Sequence, residues 1–88
     1  MKPGADDFRT ALRERLLKAQ GDGIPAIEVK SGDLHREVGG YPDNDHRMPI
    51  CCDVMRREIA EGDTILHESP SGKGANLLIR YMLPRKPS

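Results

Sequence analysis

The stretch from Ser31 to Asp63, SGDLHREVGGYPDNDHRMPICCDVMRREIAEGD, constrains this chain most. Two amphipathic segments meet there across a break dense in turn formers. Ser31 reads as an N-cap, because a hydroxyl oxygen can accept from the free N–H groups of a helix start, and Asp33 suits the first turn. Leu34 and Val38, four apart, share one face of a short helix. Gly39 offers the left-handed position that stops it. Tyr41 to Asp45 form a tight connection, and Pro49 fits the first turn of a longer helix, where a missing N–H costs little. In that helix Cys51, Val54, Met55 and Ile59 make the inward stripe, and Gly62 ends it.

The flanks look supporting. Residues 1–4 read as a disordered, frayed start. A helix begins near Asp6, with acids at its positive end, Arg13, Arg15 and Lys18 toward the other, and an apolar stripe of Phe8, Ala11, Leu12, Leu16 and Ala19. Gly21-Asp22-Gly23 breaks it. Ile24 to Val29 reads as a short strand that Pro25 confines to an edge or a strand start. Thr64 to His67 and Asn76 to Met82 read as a hairpin around a Ser/Pro/Gly-rich tip. Leu77, Ile79 and Tyr81 share one face of its second strand, and Leu78, Arg80 and Met82 the other. Residues 84–88 read as a disordered tail.

The element order is helix, short strand, helix, helix, hairpin. This resembles a winged helix-turn-helix, an α+β fold in which the short strand joins the hairpin in one three-stranded sheet. The resemblance covers residues 5–83 as one domain and is one of pattern. The rival is an unrelated small α+β domain with the same order. The core is expected from Phe8, Leu12, Leu16, Ile27, Val29, Leu34, Val38, Val54, Met55, Ile59, Ile65, Leu77 and Ile79. The string SGDLHREVGGYP…HRMPICCDVM also looks like an uncharacterised family of small bacterial proteins, which implies a bacterial intracellular chain and little about activity.

Composition bounds the function. With 88 residues, one Phe, two Tyr and no Trp, the core is small and mainly aliphatic. Fourteen basic and fourteen acidic residues cancel, so net charge gives no push toward nucleic acid or membrane. The charges are unevenly placed, however. Residues 31–68 carry four basic and nine acidic groups, whereas residues 69–88 carry four basic groups and no acid. No apolar run approaches the ~18 residues of a membrane span. Adjacent Cys51 and Cys52 give no disulfide framework, and without a signal peptide a cytoplasmic location is expected.

A winged helix-turn-helix implies duplex DNA as partner, with the third helix in the major groove. Asn44, His46, Arg47, Arg56 and Arg57 would then face DNA, with Lys73 at the wing tip and Arg80, Arg85 and Lys86 on phosphates. A homodimer is compatible with this reading. Asp43, Asp45 and Asp53 flank the same surface and would repel phosphates unless paired. The alternative is therefore a protein-interaction module, accessory to a nucleic-acid-processing system, with an apolar patch around Tyr41, Met48 and Ile50.

Other chemistries find less support. His35, His46, Cys51, Cys52 and His67 lack the paired spacing of zinc sites, so no metal is expected. Cys51 is expected to pack in the core, and Cys52 and the histidines to lie at the surface or between elements. The first-turn cysteines have His46 nearby but no orienting third group, so no catalytic residue and no enzyme is expected. Ser69 to Gly74 departs from a phosphate-binding loop, because Gly follows Lys73 and the flanking elements are strands. No cofactor is expected.

Overall fold

The structure, a computed structural model, describes residues 3–39, 47–69 and 74–85. Three helices and three strands follow in the expected order: α1 (Ala5–Gly21), β1 (Ala26–Lys30), α2 (Ser31–Val38), α3 (Met48–Arg57), β2 (Thr64–His67) and β3 (Leu78–Met82). β3 is central in an antiparallel sheet ordered β1-β3-β2. The short strand thus pairs with the second strand of the hairpin, Val29 opposite Ile79 and Ile27 opposite Tyr81. β1 is an edge strand, which is why Pro25 is tolerated immediately before it.

Helix α1 begins where the Asp7 carboxylate accepts the Gly4 N–H at 2.8 Å, satisfying one of the free donors of a helix start. It ends in a turn closed by Gly23, whose φ of 77° suits a residue without Cβ. The α1 stripe of Phe8, Leu12 and Leu16 meets Val29, Leu34, Val54, Met55, Leu77, Ile79 and Tyr81 in one core. Fully burying each such aliphatic or aromatic side chain is worth about 1.5–3 kcal/mol. The alternation along β3 explains its contribution: Leu77, Ile79 and Tyr81 point inward, and Arg80 and Met82 outward.

Several expectations change on contact with the structure. Ser31 is not an N-cap: Lys30 occupies that position and Ser31 is the first helical residue. Its hydroxyl instead donates to the Gly74 carbonyl at 2.7 Å. Gly39 does take a positive φ, but with ψ of 166° it leaves the helix extended rather than left-handed. Ile65 is no core residue; it sits opposite Ile79 on edge strand β2 and is 39% exposed. Cys52 and His35, expected at the surface or between elements, are buried between elements, and Met48, expected in an exposed patch, is buried too. Packing contacts also reach past residues 5–83. Pro3 is buried at one end, and at the other the Arg85 N–H donates to Gln20 Oε1 at 2.8 Å.

Candidate nucleic-acid interface

α2 and α3 are joined at their near ends by an imidazole. His35, on the last turn of α2, is enclosed beside Phe8, with ring centroids 4.9 Å apart in an edge-on arrangement. Its Nε2 accepts the Arg47 N–H at 2.5 Å, one residue before α3 begins. The angle at which the chain enters α3 is thereby tied to α2.

A second knot joins these helices to the hairpin. The Gly74 carbonyl accepts from Ser31 Oγ at 2.7 Å and from Cys52 Sγ at 3.3 Å. The Gly74 N–H donates to Ser69 Oγ at 2.9 Å, and the Gly32 N–H to the Ala75 carbonyl, also at 2.9 Å. Cys51 Sγ reaches the Ser31 carbonyl at 3.5 Å. Both ends of the hairpin connection are therefore held against the start of α2 and the inner face of α3. Nothing in the sequence marks Gly74 as the neighbour of Ser31 and Cys52, 43 and 22 residues away.

This packing removes the cysteines from solution chemistry. Burial, reinforced by the neighbouring Cys52 and opposed by Arg15, pushes the Cys51 thiol up to about 12. Burial also raises Cys52, although the Ser31 contact and Arg56 pull the other way. A thiolate nucleophile is disfavoured at either position. No group of three or more His, Cys, Asp or Glu able to hold a metal ion occurs among the described residues. No described helix is long and apolar enough to cross a membrane.

The candidate DNA-contact residues fall into four groups. Asn44, His46, Lys73 and Lys86 lie outside the described residues. Arg56, Arg57 and Arg80 are on the surface, each with a carboxylate. Arg56 reaches Glu68 at 2.5 Å across α3 and the hairpin, Arg57 pairs with Asp53 one helical turn away at 3.1 Å, and Arg80 pairs with Glu28 across the sheet at 3.1 Å. Arg47 makes no ion pair with a described residue. Exposed pairs of this kind are worth only about 0–1 kcal/mol, so a phosphate can compete for such an arginine.

Arg85 is different, and it leaves the set of available cations. Its guanidinium bonds both oxygens of Asp63, at 2.9 and 2.7 Å, and the Glu58 carbonyl at 2.5 Å. It also lies 5.5 Å from the centre of the Tyr81 ring. The Asp63 side chain is wholly enclosed, so releasing Arg85 would strand a buried carboxylate.

The expected apolar patch around Met48 and Ile50 does not form as drawn. Met48 is buried and Ile50 half-buried, while Tyr41 lies outside the described residues. The exposed apolar groups are elsewhere. Leu17, 65% exposed, lines a groove of about 890 Å³ with Leu16, Met82 and Pro84, between α1 and the end of β3. Comparison with protein-family models, with curated proteins and with solved structures gave no match.

Proposed function

We propose that this chain is a winged helix-turn-helix domain that binds duplex DNA, with α3 as the reading helix and the β2–β3 connection as the wing. The observation that carries the reading is the joint arrangement of strand order and hairpin. β1 pairs with β3, and the hairpin connection packs against α3 through Cys52–Gly74 and Arg56–Glu68. One body thus holds both ends of the β2–β3 connection beside α3, and a helix and a wing are the two elements such a domain lays along a groove and a phosphate backbone. Arg47, with Asn44 and His46 just before it in sequence, is assigned to base edges; Arg56, Arg57, Arg80, Lys73 and Lys86 are assigned to phosphates.

Fluorescence anisotropy with a labelled generic duplex tests this. Affinity should fall steeply between about 50 and 200 mM salt, because bound counterions are released from the phosphates that the protein neutralises. Arg47→Ala and Lys73→Ala should each weaken binding. Absence of binding at the low end of that salt range would exclude the reading.

One observation favours the alternative, a protein partner. The cations on the outer face of α3 are matched by Asp53 and Glu68, which leaves that surface nearly neutral. A domain that ignores duplex DNA yet retains these pairs would fit an accessory interaction module.

A further inference from the structure

The described cations of the reading helix and sheet are mostly compensated, which raises the question of where uncompensated charge lies. Lys30 ends β1 and makes no ion pair with a described residue. Strand register sets what stands beside it. Lys30 and His67 both pair with Leu78, from opposite sides of β3, so the three share one row on the outer face of the sheet. With strands about 4.8 Å apart, the Lys30 and His67 backbones are about 10 Å apart. Asn76, two residues before Leu78, joins these three in lining a groove of about 210 Å³. Two carboxylates close by in the strands are engaged, Glu28 with Arg80 and Glu68 with Arg56.

The geometry points to this row as a phosphate-contact site for the DNA backbone, formed by Lys30, His67 and Asn76 at the wing end of the sheet. The inference rests on the DNA-binding reading and deepens it, since these residues belong to neither α3 nor the wing tip. Size and chemistry fit a phosphodiester. The volume equals about seven waters at ~30 Å³ each, too small for a drug-sized ligand, whose pockets start near ~300 Å³. Lys30, His67 and Asn76 carry an ammonium, an imidazole and an amide, each able to donate to a phosphate oxygen, and the Lys30 stem is long enough to close the distance. Leu78 forms an apolar floor that offers no competing polar group.

The test is anisotropy of a labelled generic duplex across a salt series, with wild type, Lys30→Gln, His67→Gln, the double variant, Lys30→Arg, and Lys18→Gln as a control exposed on α1. Losing one phosphate contact should weaken binding to all sequences alike and reduce the slope of log affinity against log salt by about 1. Lys30→Gln and the double variant should do this, Lys30→Arg should restore the slope, and Lys18→Gln should leave it unchanged. All the substituted side chains are exposed, so melting temperatures should match wild type. If wild type binds duplex but Lys30→Gln and the double variant keep its affinity and slope, this site is refuted while the DNA reading stands. If wild type itself binds no duplex, the DNA reading fails and takes the site with it.

Discussion

Asp63 stands where the exit from α3, the start of β2 and the end of β3 converge. Burial alone would raise its carboxyl. Hydrogen bonds from the Met82 N–H, the Arg85 guanidinium and the Ala60 N–H, with the positive charge of Arg85, outweigh burial and hold it below the ordinary carboxylate value. A group whose folded pKa is depressed stabilises the fold above its unfolded value, about 3.9 for Asp, and loses that contribution as pH falls through the folded value. Asp63→Asn replaces the carboxylate that faces Arg85 by a neutral amide, so it should cost roughly 2–4 kcal/mol at pH 7. Urea denaturation of both proteins from pH 7 downward should show the difference narrowing below about pH 5. Parallel stability profiles across that range would rule out the ion pair as the source. The sequence concealed this role because Arg85 sits in a Pro-Arg-Lys-Pro-Ser string whose composition resembles a solvated tail.

At the scale of elements, two contacts fix how α2 meets its neighbours. An ideal Cβ at Gly32 would lie 3.0 Å from the Ala75 carbonyl oxygen and 3.1 Å from the Ala75 Cβ. The obstacle includes backbone, so Gly32→Ala must push α2 and the hairpin apart, at a cost of about 1–3 kcal/mol. Gly21→Ala, where nothing lies within 4 Å, serves as the control and should be neutral or slightly stabilising. Thermal unfolding of the two variants should rank them in that order. The other contact is His35. Its Nε2 accepts from Arg47 and so carries no proton in this arrangement. His35→Phe keeps an aromatic ring beside Phe8 but removes the acceptor for the N–H that leads into α3. A loss of about 1–2 kcal/mol is expected in denaturant titration, and unchanged stability would show that water replaces the imidazole.

The same two contacts show what could be read in the chain. Period-two alternation on β3 and period-3.6 spacing on α1 located elements and core faces, because each of those elements packs on one side only. α3 packs on two sides, against α1 and α2 and against the hairpin. Its apolar arc therefore widens to include Met48 and Cys52, which a narrow stripe assigns to the surface. The full burial of His35 is hidden for the opposite reason, since a polar residue next to the stripe gives no sign that a backbone donor from another element satisfies it. At the candidate interface, residue types and element order were legible, but the partners of Arg56, Arg80 and Arg85 were not. Glu68, Glu28 and Asp63 lie 12, 52 and 22 residues away.

At the scale of the whole molecule, the cysteines report on how cooperatively these junctions open. Cys51 and Cys52 lie in the one core cluster, and their thiols donate to carbonyls of α2 and of the hairpin connection. Exposing either requires α3 to leave both neighbours, and the cluster that holds α3 also holds α1 and β3. Their reaction with a thiol reagent should therefore proceed through global opening rather than local fraying. For a domain near the low end of ordinary stability, about 5 kcal/mol, native labelling should be slower than that of the denatured chain by about 10³-fold or more. Both cysteines should be protected alike, and mass spectrometry should find them modified together. Asp63→Asn and Gly32→Ala, which touch different corners of the structure, should raise both rates by factors matching their loss of stability. Should Cys52 alone react quickly in native buffer, the seam between α3 and the hairpin opens by itself. Under the proposed DNA-binding function, a hairpin that separates from α3 in that way would be positioned by DNA rather than held ready for it.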